Sequence, residues 1–343
     1  MSHQEVIEPT PVAPQASDKV LEVEDARVIY RVRGEDAPAV DGVSLSLERG
    51  DSLALAGESG CGKTTLALAC IGLLPQNARV EGSIRFRGEE LVGAKPGRLR
   101  TVRWAGISMV FQGAMNALNP VRRIGDQMIE AIQLHEKVST SAAATRSRKL
   151  LERVGIPPSR ARDYPHEFSG GMRQRAMIAM SLVCSPDVVI ADEPTTALDV
   201  MVQAQILALL AELRDEFGLA LLLITHDLSV LAQVCDRVAI MYAGRIVEEG
   251  AATDLLSSPQ HPYTQALVGA FPTVGDRSSR GIPAGLPGEC PHPAELPPGC
   301  KFHPRCPARF EPCDEIDPLL LETGLQRRAA CHAVHRDLGI GAP

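Results

Sequence analysis

The nine residues "GESGCGKTT", Gly57–Thr65, decide the fold and the first candidate site. They match the pattern G-x-x-x-x-G-K-[ST] and lie between a strand predicted over Asp51–Gly57 and a helix predicted to begin near Lys63. Glycines let such a loop wrap tightly, so that backbone N–H groups and the helix N-terminus point at phosphate oxygens. The stretch therefore predicts a phosphate-binding loop at the end of a buried strand.

Each predicted contact in this loop has a chemical task. The Lys63 ammonium is expected on the β- and γ-phosphates of a nucleotide, and the Thr64 hydroxyl is expected to ligate Mg²⁺. A chance glycine-rich turn is the alternative, and the flanking strand and helix argue against it. The expected nucleotide contacts in the loop are Gly57, Ser59, Gly60, Cys61, Gly62, Lys63, Thr64 and Thr65.

A second predicted strand ends in two carboxylates, in the stretch "VVIADE", Val188–Glu193. Carboxylates at the end of a buried strand are costly unless they face a cation or water. We expect Asp192 to hold Mg²⁺ through its water shell and Glu193 to polarise an attacking water. The alternative is an acidic strand end in an ordinary loop.

Size and composition limit the classes of protein to consider. The chain has 343 residues, a formal net charge of −7, 45% hydrophobic residues and 22% charged residues. The acidic balance disfavours non-specific nucleic-acid binding as the main function. The N-terminus has no signal-peptide pattern, and no apolar run approaches the roughly 18–20 residues of a membrane-spanning helix. We therefore expect a cytosolic protein whose nine cysteines are reduced unless they bind a metal.

Strands and helices alternate at both ends of the central region, and an all-helical block interrupts them at about residues 115–184. This order predicts an α/β fold with a helical insertion subdomain. Residues 1–19 are expected to form a disordered tail, because they are rich in Pro, Ala, Glu and Gln. Composition shifts to Pro, Gly and Cys at about residue 271, so the main domain is placed at 20–271 and a small C-terminal lobe at 272–343.

Further motifs occur in the order found in one known family. "FSGGMRQR", at 168–175, resembles the LSGGQ signature of ABC ATPases, and His226 lies where that family has its switch histidine. Gln112 matches the family's Q-loop, and Asp199 its D-loop. The resemblance covers about residues 20–270 and implies a P-loop ABC ATPase core with ATP and Mg²⁺ as ligands.

The resemblance also implies a role for each matching residue. Tyr30 would stack on adenine, although alone it would more often be a packing residue. The implied catalytic residues are Glu193, His226 and Gln112, and the implied Mg²⁺ ligands are Thr64, Gln112 and Asp192.

The signature residues are Ser169, Gly170, Gly171 and Met172. Met172 departs from the family pattern, which has Gln there, but the hydroxyl and N–H groups that can reach a γ-phosphate are intact. In the family, the signature of one cassette completes the ATP site of another. One P-loop and one signature in this chain therefore imply a dimer.

Three stretches resemble the oligopeptide and dipeptide importer branch of the family, which includes nickel importers. They are "FQGAMNALNPVRRIGDQM" at 111–128, "TTALDVMVQAQIL" at 195–207 and "HPYT" at 261–264. Taken alone, "HPYT" also reads as a helix start with Tyr263 packed on the core. The branch implies a second, different cassette, two transmembrane permease subunits and an extracytoplasmic binding protein. It places the chain at the cytoplasmic face of the membrane.

Peptides are the expected cargo, and nickel or another solute is the alternative. Exporter ATPases, non-transport ABC ATPases and a redox-regulated ABC protein without a membrane partner are further alternatives. A non-transport member would need paired cassettes, a long coiled coil or basic arms, none of which the sequence contains. No nucleic-acid partner is expected.

The C-terminal lobe concentrates cysteines among prolines. The spacing of Cys300, Cys306, Cys313 and Cys331 differs from the close pairs of zinc ribbons. The stretch resembles the tail of peptide-importer ATPases, which implies that these four thiolates hold a [4Fe–4S] cluster. Zinc and free thiols or a disulfide remain open, and Cys290 is left outside the cluster. A metal would stabilise a lobe with few apolar residues.

Overall fold

The computed structural model describes residues 19–113, 117–196, 198–228, 231–270 and 288–340. The tail expected at 1–19 lies outside them except for its last residue, and so does the boundary placed near residue 271. Within the described residues the strands form two sheets.

The smaller sheet is antiparallel, with strand order β2-β1-β4-β5. Its inward side chains, among them Leu21, Val23 and Val28, alternate along β1 with more exposed ones and are almost fully buried. The sheet also contacts the helix that follows the phosphate loop. Its strands are β1 (Lys19–Val32), β2 (Glu35–Glu48), β4 (Ala78–Phe86) and β5 (Glu89–Glu90).

The larger sheet has the order β11-β12-β10-β9-β3-β8-β7-β6, and its strands from β9 to β6 are parallel. Every residue of β3, β7 and β8 is buried, as expected for apolar strands covered on both faces. The strands are β3 (Ser52–Ala56), β6 (Ile107–Val110), β7 (Val188–Asp192), β8 (Ala220–Thr225), β9 (Arg237–Tyr242), β10 (Arg245–Ala251), β11 (Leu321–Gly324) and β12 (Arg327–Ala329).

The helices confirm the predicted helical block, which contains α3, α4 and α5. Helix α6 (Val200–Phe217) begins where the Asp199 carboxylate accepts from the Val202 N–H at 3.0 Å. The helices are α1 (Lys63–Cys70), α2 (Pro96–Val102), α3 (Ile124–His135), α4 (Thr140–Arg153), α5 (Gly170–Ser181), α6 (Val200–Phe217), α7 (Leu231–Val234), α8 (Ala252–Ser257), α9 (Pro262–Gly269) and α10 (His332–Asp337).

The C-terminal residues extend the main sheet. Strand β12 pairs antiparallel with β10 through Glu248 and Ala329, and β11 pairs with β12. Phe302 of this region is 1% exposed and packs against the rings of Tyr242 and Tyr263, with ring centroids 5.3 and 5.4 Å away. The lobe predicted from composition is therefore joined to the core by a strand pair and an aromatic cluster.

A buried ion pair stabilises the contact between the C-terminal lobe and the core. The Glu248 side chain is 0% exposed, and its carboxylate accepts from Arg327 at 2.7 Å and from the backbone N–H groups of Gln260 and His261, both at 2.9 Å. Burial lowers the pKa of His261 to about 4, so this imidazole is neutral, and its Nδ1 accepts from the Tyr263 N–H at 3.0 Å. Strand β10, the start of α9 and strand β12 thus meet at one carboxylate.

Replacing Arg327 with alanine is expected to lower the free energy of unfolding by about 3–5 kcal/mol, because it leaves the Glu248 charge buried without its partner. Denaturant unfolding of both variants and the wild type would measure this. Arg328→Ala is the matched control, since Arg328 pairs with the more exposed Glu249 and its loss should cost at most about 1 kcal/mol. Equal effects of the two substitutions would contradict the assignment.

Candidate active site

The phosphate loop joins β3 to α1, and two of its glycines are required by close packing. Gly57 and Gly62 have φ of +151° and +102°. A Cβ at Gly57 would lie 2.1 Å from the Met241 carbonyl oxygen, and one at Gly62 would lie 2.1 Å from the Ala39 carbonyl oxygen. The loop is therefore pressed against β9 and β2, and side chains at these two positions would displace it.

Lys63 lies inside the loop, and its residue is 4% exposed. Its ammonium donates to the carbonyl oxygens of Gly57 at 2.8 Å and Glu58 at 2.7 Å. It also lies 3.5 Å from the Cys61 sulfur. Burial raises the pKa of the Cys61 thiol, against the opposing effect of the Lys63 charge, so Cys61 is a buried neutral thiol. The loop thus surrounds one cation with its own backbone oxygens.

Thr64 and Asp192 meet at the carboxyl ends of β3 and β7. The Thr64 hydroxyl donates to an Asp192 carboxylate oxygen at 3.2 Å. Asp192 is 1% exposed, and burial raises the pKa of its carboxyl although the Thr64 hydrogen bond opposes this. A hydroxyl and a carboxylate side by side are oxygen ligands that suit Mg²⁺. The structure therefore brings together two of the three expected Mg²⁺ ligands.

Glu193 lies at the centre of the predicted catalytic residues. One carboxylate oxygen accepts from Gln112 Nε2 at 2.7 Å and from the Thr196 hydroxyl at 2.9 Å. The other oxygen is 3.4 Å from His226 Nδ1. Glu193 also has φ of +44°, a conformation that non-glycine residues rarely adopt, and its N–H donates to the Ile224 carbonyl at 2.9 Å. Gln112, Glu193 and His226 therefore form one cluster.

Two residues at the site were not predicted from the sequence. Thr196 orients Glu193 from three positions further along the chain, in "DEPTT". The Tyr263 hydroxyl accepts from the Glu58 N–H of the phosphate loop at 2.9 Å. The sequence could suggest Thr196 through its nearness to Glu193, but 205 residues separate Tyr263 from Glu58. The helix start predicted at "HPYT" is confirmed, since α9 begins at Pro262 and Tyr263 is fully buried.

Tyr30 lies next to the phosphate loop. Its hydroxyl is 3.5 Å from the hydroxyl of Thr65, and its ring is partly exposed. Ser59 and Gly60, at the tip of the loop, are exposed. These positions leave the loop and the Tyr30 ring open to a ligand from one side.

The signature residues lie at the start of α5, on the helical insertion. The Ser169 hydroxyl accepts from the Met172 N–H at 3.3 Å and caps the helix. A Cβ at Gly171 would lie 2.9 Å from a methyl carbon of Val202, so this glycine allows α5 to pack closely on α6. Asp199, which caps α6, therefore lies beside the signature.

The four cysteines expected to bind a cluster, Cys300, Cys306, Cys313 and Cys331, lie close enough to affect one another. The pKa of Cys300 is raised to about 12, chiefly by burial and to a smaller extent by the neighbouring Cys331 and Cys313. The pKa of Cys306 is also raised, chiefly by burial and further by the same two thiols. The Cys300 N–H donates to the Cys313 carbonyl at 2.9 Å. Among the described residues, however, no group of three or more His, Cys, Asp or Glu side chains is arranged to hold a metal ion.

Two family profiles match this chain. The profile of the ABC transporter family matches residues 40–196. The profile of the oligopeptide/dipeptide transporter C-terminal region matches residues 247–313, which include α9 and the first lobe cysteines. Across the described part of the chain, no helix is long and apolar enough to cross a membrane.

Several characterised proteins are similar over nearly their whole length. The oligopeptide transport ATP-binding protein OppD of Salmonella typhimurium is 46% identical over 90% of this chain and 92% of its own length. The dipeptide transport ATP-binding protein DppD of Bacillus subtilis is 46% identical over 88% and 90%. Among solved structures, the dimeric ATP-binding cassette MJ0796 bound to ADP and Pi is similar with a TM-score of 0.61, at 25% identity over 68% of this chain and 98% of that one.

Proposed function

The chain belongs to the ATP-binding proteins of ABC transporters, in the oligopeptide/dipeptide branch, and on this premise we propose that it hydrolyses ATP to power peptide uptake through a membrane importer. The observation that carries the proposal is the meeting of three elements at one end of the sheet. They are the loop around Lys63, the Thr64–Asp192 pair and the carboxylate of Glu193 held by Gln112.

Each of these residues has its own role in the proposed reaction. Lys63 exchanges its loop carbonyl partners for the β- and γ-phosphate oxygens of ATP. Thr64, Asp192 and Gln112 would hold Mg²⁺, which when bound neutralises charge on the same phosphates. Glu193 accepts a proton from water as the water oxygen bonds to the γ-phosphorus and the bond to the ADP oxygen breaks.

The proposed working unit is a dimer of cassettes. The N–H groups at the start of α5 can bind a γ-phosphate held by the partner cassette, because the Ser169 end of this helix is exposed. The dimeric assembly of the similar cassette MJ0796 supports this arrangement. We propose that the partner is a different cassette, as the branch resemblance implies, and that ATP closes the pair and hydrolysis reopens it.

A groove beside Gln112 supports contact with the membrane subunits. It has a volume of about 310 Å³ and lies between the Q-loop and the helical insertion. Its apolar lining includes Phe111 and Leu134, which are 37% and 77% exposed. We propose that a short cytoplasmic helix of a permease subunit occupies it. Two permease subunits and an extracytoplasmic binding protein would complete an importer with this chain at the cytoplasmic face.

Uptake by a strain that lacks this chain tests the proposed cargo. Restoring the chain should restore growth on dipeptides and oligopeptides as the nitrogen source, whereas the Glu193→Gln variant should not restore it. Nickel accumulation should be the same in both strains. Normal peptide uptake in the deletion strain, together with lost nickel accumulation, would favour the nickel importer instead.

We further propose that Cys300, Cys306, Cys313 and Cys331 hold a [4Fe–4S] cluster that stabilises the C-terminal lobe. The mutual influence of these thiols supports convergence, and four thiolates are the usual ligands of such clusters. Among the described residues no group of three or more His, Cys, Asp or Glu side chains is arranged to hold a metal, so the proposal rests on the resemblance of the tail and on its number of thiols.

Anaerobic purification followed by iron, sulfide and zinc assays tests this second proposal. About four irons and four sulfides per chain are expected, with an absorption spectrum typical of iron–sulfur clusters. The Cys313→Ser variant should lose most of the iron, and the Cys70→Ser variant, whose thiol is in the core, should keep it. One zinc per chain, or no metal, would contradict the cluster.

A further inference from the structure

An ion pair joins the C-terminal lobe to the phosphate loop. Arg305 Nη1 donates to one Glu58 carboxylate oxygen at 2.7 Å, and Nη2 donates to the other at 2.9 Å. The pair is largely shielded from solvent, with side-chain exposures of 9% for Arg305 and 24% for Glu58. Such a two-point contact fixes the orientation of a carboxylate as well as its position.

Glu58 is also bound through its backbone. Its N–H donates to the Tyr263 hydroxyl at 2.9 Å, and its carbonyl oxygen accepts from Lys63 Nζ at 2.7 Å. One residue of the phosphate loop is therefore in contact with the lobe through its side chain and with the key cation through its carbonyl. Glu58 therefore links Arg305 of the lobe to the Lys63 ammonium.

Arg305 is itself held firmly. It ends the 3₁₀ turn His303–Arg305, immediately before Cys306. Its guanidinium donates to the Tyr242 hydroxyl at 3.3 Å and to the Gly288 carbonyl at 3.1 Å, and lies 5.8 Å from the centre of the Tyr242 ring. Arg305 can therefore act as a rigid support for Glu58.

The opposite charges of Arg305 and Glu58 connect this ion pair to the nucleotide site. Glu58 is an anion in a loop that binds an anionic triphosphate, and an unpaired carboxylate there would repel the ligand. We propose that Arg305 is a positioning residue of the nucleotide site, which neutralises Glu58 and holds the loop in its ATP-binding form, so that the C-terminal lobe sets nucleotide affinity. The inference rests on the ATP site proposed above.

The test is the affinity of the full-length chain for a fluorescent ATP analogue with Mg²⁺. The Arg305→Met variant should raise Kd about 10-fold. The double variant Arg305→Met with Glu58→Gln should return to within about 3-fold of the wild type, because the unpaired charge is gone. Arg309→Met is the matched control, since Arg309 forms an exposed pair with Asp314 in the same lobe and should leave Kd unchanged.

The outcomes separate the possibilities. An unchanged Kd in Arg305→Met would overturn the proposal. A weakened affinity that the added Glu58→Gln substitution does not restore would also overturn it, because that result would indicate a general structural role of Arg305. Thermal unfolding of each variant would be measured alongside the titration. The Lys63→Ala variant, titrated in the same assay, is the reference. If this substitution does not raise Kd, the proposed nucleotide site itself is wrong.

Discussion

When Glu193 is replaced by glutamine, ATP hydrolysis is expected to fall by about 10²–10⁴-fold, because the general base is removed. ATP binding should be retained. The amide has the same shape and can still meet Gln112 and Thr196, which hold the carboxylate at 2.7 and 2.9 Å. It cannot accept the proton of the attacking water. Phosphate release from the assembled cassettes and nucleotide binding to the single chain would measure the two effects.

The control for this variant is Glu216→Gln on helix α6. Glu216 pairs with Arg153 at the surface, 3.2 Å away, and its loss should leave hydrolysis unchanged. Hydrolysis that persists at the wild-type rate in Glu193→Gln would show that another group activates the water. The assignment of Glu193 would then be wrong, even if binding were normal.

Replacing Lys63 with alanine is expected to raise the Kd for ATP about 100-fold, because charge-assisted contacts to two phosphates are lost. The residue is 4% exposed, so its ammonium is enclosed by the loop. Its carbonyl partners on Gly57 and Glu58 would then face the phosphates without a cation between them. Titration with a fluorescent ATP analogue measures the loss, and hydrolysis should fall with it.

Glu193→Gln serves as the matched comparison for this second variant. The two substitutions remove groups with different roles, so Glu193→Gln should impair the chemical step and Lys63→Ala the binding step. Near wild-type affinity in Lys63→Ala would contradict the position assigned to the triphosphate. Urea unfolding of both variants shows whether either change has simply unfolded the chain.

The sequence alone was sufficient wherever neighbouring residues determine the structure. The phosphate loop needs glycines, a lysine and a hydroxyl at fixed spacing between a strand and a helix, and all of these are local. Helix α6 likewise has a local start and stop, because the Asp199 side chain caps its first turn and Gly218, with φ of +58°, follows its last residue. The cluster of Gln112, Glu193 and His226 was expected only through the family resemblance.

Tertiary structure decided the relations between distant segments. The composition change suggested a separate C-terminal lobe, yet β12 pairs with β10, and Arg305 reaches Glu58 across 247 residues of sequence. No local pattern specifies such contacts, because they depend on how the sheets and the aromatic cluster pack. The chemistry of the ATP site is therefore determined by short-range spacing, and its support by the C-terminal lobe is determined by the packing of remote strands and rings.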